Sequence, residues 1–325
     1  MPRRRGDAIL MGEVNLPPDQ QRAFFGDEDG DELHMVLSFV INQAMYLSLA
    51  RGDATPLRDA LAALPQIPED CQWANFVRNH DELTLDKLSE EERAEVFAAF
   101  GPEEDLQLYG RGLRRRLPTM VGGDERRIRM LYSLAFALPG TPVLFYGEEI
   151  GMGEDLDAEG RLAVRTPMQW TPHGGFSSAD PADWPGPMPD DGYGPEHVNV
   201  SAQRRDPDSL LSWIRLLVER YRECPELAWG EYQVLDTGED AVLAHRCDID
   251  GGTVIAVHNL ADHVVKPVLE LPEKAGCRLT DLLVDGACDV PRDGRVPLEL
   301  PAYGTRWLRA TAPEEAEATP AGSSG

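Results

Sequence analysis

Trp73-Ala74-Asn75-Phe76-Val77-Arg78-Asn79-His80-Asp81-Glu82 is the stretch from which the fold is read. Its first six residues predict a strand, and the polar run from Asn79 stops it. The same pattern recurs to either side. Ala8 to Glu13 is a short apolar run without alternation, which predicts a parallel strand covered on both faces. Leu33 to Phe39 predicts a strand running into a helix that ends near Arg51, and Pro142 to Tyr146 predicts a fourth strand. Helical patterns lie between them over about 55–64, 89–99 and 124–138. In the last of these, Ile128, Leu131, Leu134 and Leu138 share one face and Pro139-Gly140 ends the helix. Strand and helix in alternation point to a parallel α/β sheet or barrel.

The text changes downstream. A Gly- and Pro-rich loop covers about 147–205, a length usually kept for function. A helix is expected to start at Asp206-Pro207, with Leu210, Leu211, Ile214, Leu217, Val218 and Tyr221 on its core face. From about 227 to 310 only strand patterns remain: 232–235, 241–245, 253–259, 264–271, 278–283, 296–300 and 305–308. Gly251-Gly252 and Asp293-Gly294 mark hairpin turns among them. This predicts an antiparallel β-sandwich over 227–310, after an α/β region over 1–226. Residues 311–325 hold no large apolar side chain and are expected to be a disordered tail.

Composition excludes several classes of function. Against 57 Asp and Glu stand 31 Lys and Arg, a formal net charge of −26. Nucleic-acid binders need the opposite balance. No apolar run approaches a membrane span, and Met1 to Asp7 lacks the apolar stretch of a secretion signal. The five cysteines (71, 224, 247, 277 and 288) are scattered, as in a reduced cytoplasmic protein.

Two acids sit at equivalent places: Glu13 at the end of the first strand, and Asp81 just after the third. In a (β/α) barrel all strand C-termini meet on one face, which carries the chemistry. Two carboxylates there can protonate a leaving oxygen and stabilise an oxocarbenium-like transition state. Each acid alone reads more readily as a helix cap or a solvated loop residue. His80 beside Asp81, with Asn79 to tie the loop, makes a more specific constellation.

Val77-Arg78-Asn79-His80-Asp81-Glu82 resembles the fourth conserved region of glycoside hydrolase family 13, the α-amylase family. Gly12-Glu13-Val14 resembles its third region. Arg165-Thr166-Pro167-Met168-Gln169-Trp170 resembles a segment of the α-glucosidase and trehalose synthase branch. Pro139-Gly140-Thr141-Pro142 with Tyr146 to Met152 looks like that branch's eighth strand and loop, and Val198 to Gln203 is also similar to the trehalose synthase group. The resemblance covers nearly all of residues 6–310.

This resemblance implies the C-terminal half of a (β/α)8 barrel, from its fifth strand onward, followed by the sandwich. It implies Glu13 as general acid/base and Asp81 as the carboxylate that holds substrate hydroxyls in the transition state. His80, Arg165 and Glu82 would bind the sugar, and Glu82 points to the trehalose synthase group, a maltose α-D-glucosyltransferase. The expected substrate is a maltose-sized α-glucoside, transformed by retaining double displacement with no organic cofactor. Calcium is possible in the complete family enzyme, with ligands mostly upstream of this chain.

The family's nucleophilic Asp precedes the Glu13 strand, and no segment here matches its Arg-x-Asp pattern. A separate N-terminal half-barrel chain is therefore an expected partner, and an unstable, open half-barrel is expected without it. The Arg3-Arg4-Arg5 run resembles a basic turn often found before this strand. A non-catalytic remnant or carbohydrate-binding module is the alternative. Asp155 to Gly160 opens like an EF-hand loop but lacks its bidentate Glu, so no metal site is assigned. The basic run Gly110 to Arg116 is expected to pair with carboxylates. Trp73 and Phe145 read as core, Trp170 and Trp184 as sugar-stacking candidates, and Glu148 and Glu149 as residues that shape loops.

Overall fold

The computed structural model describes residues 8–27, 30–180, 183, 184, 186, 188, 189 and 192–312. The Arg3–Arg5 run and most of the expected tail lie outside these residues.

Four short strands form one parallel sheet in chain order: β1 (Met11–Gly12), β2 (Met35–Leu37), β3 (Gln72–Phe76) and β4 (Thr141–Val143). Met11 pairs with Met35, Val36 with Trp73 and Asn75 with Pro142. Helices α1 (Phe39–Arg51), α2 (Thr55–Ala62), α3 (Glu90–Phe100) and α4 (Glu125–Ala137) fall between the strands as the periodicity predicts. Ser89 and Glu92 form a reciprocal capping box at the start of α3, and Asp124 caps α4. The parallel order puts every strand C-terminus on one face.

Gly140 sets how closely α4 returns to the sheet. Its φ is +118°, and a Cβ there would lie 2.2 Å from the Trp73 carbonyl oxygen. Both the dihedral and the contact require glycine. Gly140→Ala is expected to cost at least ~2 kcal/mol, measured as a lower denaturant midpoint with an unchanged slope.

The expectation that the first strand is covered on both faces is overturned. Ile9, Leu10 and Met11 are 67%, 40% and 50% exposed. β1 pairs only with β2, so its other edge meets no strand among the described residues. The expected helix start at Asp206-Pro207 also moves. Ser209 is the cap, with its Oγ accepting from Ser212 N, and α5 spans Leu210–Glu223. Asp206 turns the chain instead, its Oδ1 accepting from Asp208 N. A three-stranded antiparallel sheet (Leu83–Thr84, Gly112–Leu113, Gln107–Leu108) was not foreseen, because two-residue strands leave no periodicity to read.

From Glu231 the chain is antiparallel. A six-stranded sheet holds Glu231–Leu235, Val242–Ile249, Gly252–Asn259, Thr305–Thr311, Arg278–Asp281 and the unforeseen Ala287–Asp289. A two-stranded sheet, Val268–Glu270 with Arg295–Pro297, packs Leu269 and Val296 onto Val257, Ile255 and Leu308 of the larger one. The strand expected at 305–308 therefore runs on through Thr311.

The two parts share a core through α4 and Trp307. Ser133 of α4 accepts from Trp307 Nε1 (3.0 Å) and contacts His258 Nε2 (3.0 Å) and Thr305 Oγ1 (2.8 Å). Burial is the main cause holding the His258 imidazole down at about 3, so it packs in neutral form. All five cysteines are unpaired. No helix among the described residues is long and apolar enough to cross a membrane.

Candidate active site

Glu13 follows the last residue of β1, and the Asn79–Glu82 loop follows β3, so both side chains reach the same end of the sheet. His80 Nε2 lies 3.9 Å from Glu13 Oε2 and 3.7 Å from Asp81 Oδ1. One oxygen of each carboxylate and a His80 nitrogen all lie within 4.8 Å of one another. Glu13 and His80 are about half exposed and Asp81 is one-fifth exposed. Glu13 and Asp81 line an open cavity of about 290 Å³, together with Asn15, Phe39, Asn79, Glu82, Thr84, Arg111 and Arg161.

The loop geometry has local causes. Asn79 Oδ1 accepts from Asp81 N (3.1 Å), the tie expected from the sequence. Arg78, fully buried, donates from Nη2 to the Asp81 carbonyl (2.7 Å) and from Nε to the Arg115 carbonyl (2.8 Å). Burial lowers its pKa, as it does for Arg116.

Asp81 is held from both sides. Arg165 Nη2 lies 2.5 Å from Oδ1 and Arg161 Nη1 lies 2.8 Å from Oδ2. Arg165 also donates to the His80 carbonyl (2.7 Å). Of the expected site residues, Glu13, His80, Asp81 and Arg165 thus converge. Glu82 sits beside them but is almost wholly buried, with Oε1 on Arg111 (3.2 Å) and Oε2 on Arg161 (2.5 Å). Its oxygens anchor the loop, so it lines the cavity wall through a buried, doubly paired carboxylate, whereas Asp81 is one-fifth exposed. Arg161 carried no motif in the sequence. Its position four residues before Arg165 is the one signal that could have found it.

Glu148, expected only to shape a loop, ties two strand ends together. Its Oε1 accepts from Arg78 N (3.0 Å) and Tyr132 Oη (3.3 Å), and its Oε2 from Phe145 N (2.8 Å). Burial raises its pKa to about 7, against these hydrogen bonds and the Arg116 and Arg78 guanidiniums. The basic run pairs partly as expected: Arg111 with Glu82, and Arg115 with Glu154 at 3.1 Å. Arg116 instead serves backbone carbonyls of Tyr146 and Val164 and lies 4.7 Å from the Phe145 ring centroid. Trp73 packs edge-on against Phe25 in the core. Trp184 donates to the Ala179 carbonyl, whereas Trp170 is 45% exposed. In the Asp155 loop, Asp155 Oδ1 accepts from Asp157 N, a turn within the chain.

Residues 113–230 match the family described as the alpha amylase catalytic domain, and residues 251–309 the sucrose hydrolase-like C-terminal domain. The chain is 37% identical over 316 residues to the trehalose synthase/amylase TreS of Mycobacterium tuberculosis (strain CDC 1551 / Oshkosh). That match covers 94% of this chain and 52% of the relative. It is 36% identical over 330 residues to a trehalose synthase of Thermus thermophilus, covering 95% of this chain and 34% of that protein. Among solved structures, the α-amylase from H. orenii superposes with a TM-score of 0.68 at 21% identity, over 93% of this chain and 53% of that one. The chain thus spans about half the length of the mycobacterial relative and of this structure, and about a third of the Thermus protein.

Proposed function

Because the chain belongs to the α-amylase family of glycoside hydrolases, in its trehalose synthase branch, we propose that it carries the acid/base half of a retaining glucosyl-transfer site for maltose-like α-glucosides. The observation that supports this most is the cluster of Glu13, His80 and Asp81 at the strand ends, with Glu13 and Asp81 lining one cavity. Glu13, exposed to that cavity, protonates the leaving glycosidic oxygen and later takes a proton from the attacking hydroxyl. Asp81, aimed by Arg165 and Arg161, accepts hydrogen bonds from sugar hydroxyls, and these strengthen as positive charge builds on the ring. His80 donates to a further hydroxyl.

Retention also needs a nucleophilic carboxylate facing Glu13. Among the described lining residues the remaining acids are Asp81 and Glu82, and arginines take both oxygens of each. The nucleophile in this proposal comes from an upstream half-barrel, which also covers the exposed edge of β1. Exclusion of water there would favour transfer or isomerisation over hydrolysis.

The test incubates maltose with the chain alone and with a separately expressed upstream half of a relative, resolving glucose and trehalose by chromatography. Activity in the mixture, with a trehalose peak, is the expected result. Turnover by the chain alone would contradict the assignment of the nucleophile to another segment. A second reading is a carbohydrate-binding module without turnover, favoured by the arginine-filled acid sites. Folded but silent protein in both arms that still binds maltose by titration would favour it instead.

A further inference from the structure

A second cavity, of about 400 Å³, shares no lining residue with the first. Its walls are Glu149, Trp170, Val200, Arg204, Leu211 and Arg215. The frame around it is hydrogen-bonded. Val200 N and Ser201 N donate to the Gln169 and Trp170 carbonyls. Gln203 donates to the Ile150 carbonyl (2.7 Å) and accepts from Leu211 N (3.0 Å), which joins the turn after β4 to α5. Gly147 N fixes Glu149 by one carboxylate oxygen, Oε2 (2.7 Å).

Three functional groups remain unengaged on this frame. Arg204 and Arg215 make no ion pair among the described residues, although the chain carries a formal charge of −26. Trp170 leaves its indole 45% exposed. Two unneutralised guanidiniums favour a doubly charged oxyanion, which they can grip through charge-assisted hydrogen bonds. An indole face suits the apolar C–H face of a pyranose, and the second oxygen of Glu149 can accept from hydroxyls.

We propose that this cavity binds a phosphorylated saccharide, with Arg204 and Arg215 on the phosphate, Trp170 against the ring and Glu149 on a hydroxyl. The proposal does not depend on the glucosyl-transfer reading. The ligand is recognised at a site separate from Glu13 and Asp81, so it acts on the protein as an effector and not as a reactant.

Isothermal titration of the chain with glucose 1-phosphate, glucose and inorganic phosphate tests this. Glucose 1-phosphate is expected to bind at least about tenfold more tightly than either simpler probe, because both halves of the site contribute. Arg204→Ala with Arg215→Ala is expected to remove that advantage, and Trp170→Ala to reduce glucose 1-phosphate to the level of inorganic phosphate. Asp81→Asn is expected to leave the binding unchanged. Raising salt should weaken glucose 1-phosphate and leave glucose untouched. The affected arginines are exposed, and a thermal melt checks that the variants stay folded. Equal affinity for all three probes would overturn the proposal. So would binding that survives the double arginine change, or is lost with Asp81→Asn.

Discussion

Glu13→Gln is expected to lower glucosyl transfer from maltose by about 10²- to 10⁴-fold in the chain combined with an upstream half. The amide keeps the shape and the hydrogen bonds of the carboxyl group but cannot release a proton. The loss should fall on kcat, because the proton is needed only as the glycosidic bond breaks, and Glu13 is about half exposed with its one described ionic contact a 3.9 Å approach to His80 that the amide can keep. The size of the loss depends on the leaving group. Maltose expels a sugar alkoxide that needs a proton, whereas p-nitrophenyl α-glucoside expels a phenolate that does not. Formation of the glycosyl intermediate from the aryl substrate should therefore be nearly spared. An Asp81→Asn variant should impair both substrates alike, because Asp81 acts on the sugar ring and not on the leaving oxygen. Equal losses for the two substrates in Glu13→Gln would remove Glu13 from the acid role.

How legible this site was depended on the range of the interactions. Strands and helices follow from apolar spacing within about ten residues, and their order alone brings Glu13 and the Asn79–Glu82 loop to one face. Asn79 was readable as the tie for its own loop because its partner, Asp81 N, is two residues away. Gly140 was readable only as a helix stop. That it also makes room for the Trp73 carbonyl needed the fold. The arginine clamp on Asp81 comes from 80 or more residues downstream, across a loop with no periodicity. Glu82 was expected on substrate for its motif, yet two distant arginines decide its place in the wall. Apolar Ile9-Leu10-Met11 suggested a covered strand, but coverage depends on what packs there, and a strand's own residues do not carry that information.

Glu148→Leu is expected to destabilise the chain by about 3–5 kcal/mol, the range for removing one partner from a buried charged network. Leucine is of similar size, so the loss does not arise from a cavity. It strips the Arg78 and Phe145 amides of their acceptor and removes a carboxyl group whose charge favours the buried Arg78 and Arg116 guanidiniums. A midpoint fall on the order of 10 °C would follow for a chain of this length.

Glu148→Gln separates the charge from the shape. The wild-type carboxyl goes from an ordinary value of 4.5 to about 7 because burial penalises its ionised form. Between those values the folded chain holds a proton that the unfolded chain has released. Stability therefore falls as pH rises through this window, by ~3 kcal/mol from this group, and levels off above it. The amide does not titrate, so Glu148→Gln should lose that slope while staying less stable than wild type at low pH, where its NH2 faces the Phe145 N–H. Denaturant melts at pH 5, 6, 7 and 8 measure both. A slope that persists in Glu148→Gln would assign the titration to another buried group and leave Glu148 ionised throughout, held by its two arginines.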